Sequence, residues 1–268
     1  MAQDVPAVRA GGIRIWLPSA VLGLLGLGLL VTPLPLLEKL RILSAGVCAQ
    51  RPSHSLLFGG VQPPLESRMI GIYGGFAVAV ITLLLAGRGR TTGMPRLPVL
   101  FLSLLFIAAL GFDGFNALFF DLHLPHAYPP QNWLRLVTGT LCGLGIALLV
   151  LPVVNFALWR QGDPRALVGV PGLGGLLAIE AGFVALVLTG WGGLLYPVSL
   201  LAVAGVGGLL GVVNLLLVLA LLQREGQARF LSDLLGPFAL AATLAVAELL
   251  LLASLRFWAE ATLGITPL

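Results

Sequence analysis

The chain has 268 residues, of which 58% are hydrophobic and only 10% charged, and its mean hydropathy is +1.03. A soluble domain carries about a quarter charged residues, so this composition excludes a water-soluble globular fold and makes lipid the main solvent. The formal net charge of +4 includes 15 Lys and Arg, which fall mostly in short breaks between apolar runs. That placement marks membrane topology and speaks against a nucleic-acid surface.

The first apolar run, Ile15 to Leu37, follows Arg9 and Arg14. Its length, the prolines 33 and 35 near its end and the lack of a small-x-small site close behind it predict an uncleaved span and not a removed signal segment. Further runs follow at Met69–Gly87, Leu97–Phe120, Trp133–Trp159, Leu167–Leu188, Leu194–Leu222 and Leu235–Phe257. Each is long enough to cross about 30 Å of hydrocarbon as a helix. None alternates polar with apolar residues as a barrel strand does. The expectation is an all-α polytopic transmembrane bundle of about seven spans. A four-span unit, residues 1–159, is followed by a three-span unit, residues 160–268.

Basic residues in the breaks predict orientation. With the N-terminus inside, the inner segments hold nine: Arg9, Arg14, Arg88, Arg90, Arg96, Arg160, Arg165, Arg224 and Arg229. The outer segments hold six: Lys39, Arg41, Arg51, Arg68, Arg135 and Arg256. This predicts N-in, C-out. The spacings Gly71/Gly75, Gly139/Gly143 and Gly207/Gly211 let helix backbones approach closely, within the bundle or across a dimer.

One stretch breaks the apolar character. Residues 47–75 read VCAQRPSHSLLFGGVQPPLESRMIGIYGG, with a loop over 38–68 that is predicted to fold back over the outer end of the bundle. Downstream come FDGF at 112–115 and NWLRLVTG at 132–139. Together these resemble the signature of a family of bacterial and archaeal multi-pass membrane proteins of unknown function. Its pattern runs C-H-x-x-P-x-R-S-F, then G-x-Q-L-P, then C-x-R-C-x-G-I-Y, then an intramembrane D-G and an N-x-L-R-L-x-T-G. Cys48, Pro52, Ser55, Gly60, Gln62, Pro64, Arg68, Gly71, Ile72, Tyr73, Asp113, Gly114, Asn132, Leu134, Arg135, Thr138 and Gly139 match it. The resemblance covers about Leu40 to Val150 and implies a prokaryotic cytoplasmic-membrane protein. Where the pattern has C-x-R-C this chain has Glu66-Ser67-Arg68-Met69, and Ala49 replaces the His, so a cysteine-rich metal or redox centre cannot form.

The candidate residues follow from chemistry and depth. Asp113 lies mid-run, where an ionised carboxylate costs several kcal/mol unless paired. Either Arg68 or Arg135, near the ends of neighbouring spans, can pair with it, and Asn116 and Asn132 can join the network. Tyr73 and Gln62 belong to the candidate ligand set through the resemblance. Glu180 and Glu248 are further mid-span acids, with Asn214 at their depth. They suit proton relay, cation binding or a plain interhelical hydrogen bond. His54, Glu66, His123, His126 and Cys48 offer metal-ligating atoms on the same side, or else are solvated loop residues. The glycine-rich run Gly169–Gly175 lacks the strand and lysine of a phosphate loop.

Three functions stay open. The first is a transport- or channel-like protein with an outward-facing polar pocket for a small ligand or ion. The second is an accessory subunit of a respiratory or photosynthetic membrane complex, its partners being membrane lipids and other subunits and its ligands lipid, quinone or pigment. The third is a membrane enzyme acting on a lipid. No cofactor, catalytic residue or oligomeric state is predicted.

Overall fold

The computed structural model describes residues 16–264; Arg9, Arg14 and Ile15 lie outside them. Six described helices are long and apolar enough to cross a membrane: Ser67–Leu85, Leu97–Asp121, Asn132–Leu158, Val170–Leu188, Gly192–Leu221 and Leu231–Leu263. The protein is therefore an all-α, multi-span membrane bundle, as its composition predicts. The first expected run takes a different form. It divides into α1 (Trp16–Val31) and a short α2 (Leu36–Ser44), separated by the segment that holds Pro33 and Pro35. Proline lacks the amide hydrogen of a helix interior and turns the preceding residue away from helical geometry. In α2, Leu40 and Ser44 are buried while Glu38 and Arg41 form a half-exposed ion pair at 3.7 Å.

The second run is not a uniform helix. α3 (Ser67–Met69) and α4 (Gly75–Leu85) are joined without interruption by a π-helical turn, Ile70–Gly74. α5 (Leu97–Asp121) and α6 (Asn132–Leu158) follow, then α7 (Val170–Leu188), α8 (Leu195–Leu221) and α9 (Leu235–Leu263). α6 is the most buried span and packs on α3, the π turn, α4 and α5. α5 and α9 are the least buried and turn wide apolar faces outward. Lipid-facing leucine and phenylalanine are what a bilayer solvent requires.

Two of the three glycine pairs bring α6 against the second span. A Cβ on Gly139 would strike the Arg68 carbonyl, and one on Gly143 would strike the Ile72 carbonyl. Their bare Cα atoms let the π turn lie directly on α6, so these spacings serve packing within the chain. Gly207 and Gly211 do not act this way: a Cβ on either meets nothing within 4 Å. The close approach on α8 is made by Gly205, against the Tyr73 carbonyl.

The inter-helical segments gather at two ends. At one end, the loop after α2 meets the α7–α8 turn through Gly59 N–H donating to Gly190 O at 2.8 Å, and meets the end of α5 through Arg51 and Asp121. At the opposite end, β1 (Thr91–Gly93) and β2 (Asp163–Ala166) form a two-stranded parallel sheet, and Trp159 bridges Ala228. Asn155 closes this end, its Nδ2 donating to the carbonyls of Arg88 at 3.1 Å and Thr91 at 2.9 Å.

Candidate functional site

The polar loop forms a cap held by its own hydrogen bonds. Gln50, in left-handed backbone at φ 61°, donates to the carbonyls of Arg41 at 2.9 Å and Pro64 at 3.0 Å. Gln62 donates to Gln50 O at 2.8 Å and to Ser55 Oγ at 3.2 Å. Glu66 accepts from the Arg51 amide at 2.8 Å and lies 3.7 Å from His54. Arg256, near the end of α9, donates to the carbonyls of Ala45, Cys48 and Ala49. Buried polar groups need such partners, and the backbone of this non-helical segment finds many of them in its own side chains.

Two groups in the cap have displaced acidities. Burial pushes the Cys48 thiol up to about 11, so the sulfur stays protonated and accepts from the Glu66 amide at 3.3 Å. Burial and then the Arg135 charge hold His54 below the usual histidine range, against the opposing pull of Glu66. His54 is therefore neutral at pH 7.

Beneath the cap lies the charged centre. Asp113, on α5, is 1% exposed. Its Oδ2 receives Arg68 Nη2 at 2.6 Å, and its Oδ1 receives the Tyr128 hydroxyl at 2.9 Å. Arg68 rises from α3 at the start of the second span, so the ion pair joins the second and third spans across the face of α6. Thr138 Oγ1 lies 3.5 Å from Asp113 Oδ2 but directs its proton to Leu134 O at 2.9 Å. Asn116 aligns the tyrosine: its Oδ1 accepts from the amides of Ala127 at 2.8 Å and Tyr128 at 3.2 Å, and its Nδ2 donates to Tyr128 O at 2.9 Å. Burial and the Asp113 hydrogen bond push the Tyr128 phenol up to about 12.

The partner of Asp113 is thus Arg68. Arg135 takes a separate position on α6, 5% exposed, and donates from Nη1 to Asn132 Oδ1 at 3.1 Å. Asn132 in turn donates to the carbonyls of Ser53 at 3.1 Å and Ser55 at 3.3 Å, which fastens α6 to the cap. Among the described residues, Arg135 has no carboxylate within ion-pair distance. The Nε atoms of Arg68 and Arg135 are both buried without an acceptor.

The other candidates lie apart. Gln62 stays in the cap, and Tyr73 packs half-buried in the core against α8. His123 and His126 are exposed in the loop after α5; His126 stands edge-on to Phe120 at 5.0 Å. Neither joins His54, and among the described residues no three of His, Cys, Asp and Glu converge as a metal set. Glu248 receives Asn214 Nδ2 at 2.9 Å, while both oxygens of Glu180, 2% exposed, are buried without a donor. Sequence reasoning missed Tyr128 and the alignment role of Asn116. The available signal was an aromatic hydroxyl beside the rigid Pro129-Pro130 pair, a few residues past an intramembrane acid.

The family described as "Predicted membrane protein (DUF2085)" matches residues 48–149. That stretch contains the cap, Arg68, Asp113, Tyr128 and Arg135, and ends within α6. Searches of curated proteins and of solved structures return no match.

Proposed function

We propose that the Arg68–Asp113–Arg135 centre binds a small anion or anionic ligand beneath the cap, in a transport- or channel-like membrane protein. One observation carries this reading: the buried Arg135 has no carboxylate within ion-pair distance among the described residues, the partly buried Arg68 has Asp113, and each keeps a buried Nε donor unmet. Arg68 is compensated by Asp113; Arg135 has only the neutral Asn132 amide. A buried cation without a partner is costly, and an anion seated between the two guanidiniums would supply both missing acceptors. Tyr128, held by Asn116, stands where it can cover the site. The N-terminal unit, residues 1–159, carries the centre in this reading.

The arginine distribution supports placing the sheet end inside. Arg88, Arg90, Arg96, Arg160, Arg165, Arg224 and Arg229 fall at that end, which favours a reading with the cap on the outer face of a prokaryotic cytoplasmic membrane.

The test is the thermal stability of the full chain in mild detergent, titrated with sodium phosphate, sulfate, nitrate or acetate against constant ionic strength. At least one anion should raise the melting temperature, and Arg135→Gln should abolish that rise while leaving a folded protein. If no anion stabilises the wild type and Arg135→Gln melts like it, the centre is only a staple between helices.

A further inference from the structure

The opposite end of the bundle holds a second feature that the capped centre does not use. A cavity of 460 Å³ opens there, lined by Arg90, Arg160, Gln161, Arg229 and Phe230 with the backbone at Ala228. Its walls come from three separate connections. Arg90 precedes β1, Arg160 follows α6 and Arg229 follows α8. They are held together by the Trp159–Ala228 bridge and by Arg90 Nη2 donating to Arg229 O at 3.3 Å. Arg90 also lies over the Trp159 ring, 4.3 Å from its centroid, which fixes the guanidinium plane.

None of these three arginines forms an ion pair among the described residues. Arg165 is the arginine of this end that does, with Asp163 at 3.5 Å. The nearby Asp233 turns its carboxylate to the amides of Arg229 and Phe230, at 2.9 Å each.

A second cavity of 910 Å³ lies beside the first and shares Arg160 with it. It runs between α6 and α8 and is walled by Val153, Phe156, Val213, Leu217 and Ala220, with Glu225 near its polar end. Phe156 is 73% exposed and Val213 58%, so the groove faces outward along two membrane-spanning helices. Phe230 and Leu231, 67% and 69% exposed, stand at the rim of the arginine cavity.

A basic chamber at the end of the spans, meeting at Arg160 an apolar groove that runs along them, has the polarity of one kind of molecule. We propose that this is a site for a phospholipid with a net negative charge. Its phosphate and anionic headgroup are held by Arg90, Arg160 and Arg229, and an acyl chain lies along the α6–α8 groove. Arginine suits the role because its planar fork meets phosphate oxygens in pairs and its charge persists at any physiological pH. Basic pockets between spans at the cytoplasmic surface are where anionic headgroups are captured. The site is independent of the capped centre and of its ligand.

The full chain, purified in mild detergent and incubated with equal amounts of phosphatidylglycerol and phosphatidylcholine, is read by native mass spectrometry for retained lipid. Phosphatidylglycerol should be retained in preference. Arg160→Gln and Arg229→Gln should each lower that preference by about fivefold, and Val213→Trp, which fills the groove, should lower retention of phosphatidylglycerol. Arg160 makes no side-chain hydrogen bond or ion pair among the described residues, so Arg160→Gln keeps the test open should Arg229→Gln misfold. Equal retention of the two lipids by the wild type would overturn the proposal, as would variants indistinguishable from it. Displacement of the lipid by millimolar inorganic phosphate, with Val213→Trp without effect, would overturn it too, because the site would then hold free phosphate.

Discussion

Asp113 shows what a single side chain can cost and return inside a membrane. Removing one partner of a buried pair strands the other, typically at about 3–5 kcal/mol, whereas removing both costs far less. Asp113→Asn should therefore reduce the folded yield sharply, and Asp113→Asn combined with Arg68→Gln should restore much of it, as judged by size-exclusion profiles of a fluorescent fusion. Tyr128→Phe removes one hydrogen bond to a charged acceptor, and a loss of about 1.5–3 kcal/mol in stability is expected from melting curves. His54 gives the pH dependence of the cap. Its folded-state pKa is depressed below 6.5, so the stabilisation it gives is present above that value and is lost as pH falls through the depressed pKa. The protection factors for hydrogen exchange over residues 48–66, which are corrected for the slower intrinsic exchange in acid, should fall as the medium is acidified from pH 7 toward 5, and His54→Gln should flatten the change.

At the level of elements, the contrast lies between glycines that touch and glycines that do not. Gly143→Ala forces a methyl group into the Ile72 carbonyl and should cost about 1–3 kcal/mol as overpacking. Gly211→Ala enters open space and should leave the melting temperature unchanged within error. The sequence spacing is identical in the two cases, so the spacing alone could not separate them. The π turn at Ile70–Gly74 was likewise hidden, because the local composition there reads as any apolar helix. What was legible was length and apolarity. Runs bounded by Arg, Pro and Gly became helices within a few residues of their expected ends, because lipid leaves an exposed backbone no other way to satisfy its hydrogen bonds. The sheet between β1 and β2 was not legible, since three or four residues in a short connection carry no periodic signal. At the centre, Asp113 and Arg68 were visible as charges in the wrong solvent. Asn116 was placed in the same network, but Tyr128 and its alignment by Asn116 were not visible, since a tyrosine is not costly enough by type to stand out.

Across the whole molecule, two charged features occupy opposite ends and differ in kind. The cap end buries Arg135 and partly covers Arg68 beneath a loop, while the sheet end presents its cations openly beside lipid-facing helices. Orientation decides which compartment each addresses. Cysteines introduced at Gln161 and Ala127, each in a background with Cys48 and Cys142 replaced by Ala, should differ in their reaction with an impermeant maleimide added to intact cells, and both should react once the cells are opened. Labelling at Ala127 and not at Gln161 is the outcome expected from the distribution of arginine.

Arg256 adds a constraint in time. Three carbonyls of the first loop, those of Ala45, Cys48 and Ala49, receive their donors from a side chain more than two hundred residues later in the chain. A ribosome delivers that arginine long after the charged pair and after most of the described spans have been made. Those three carbonyls of the early loop must therefore wait for their donor until α9 has been made, however far the rest of the loop has already closed on itself.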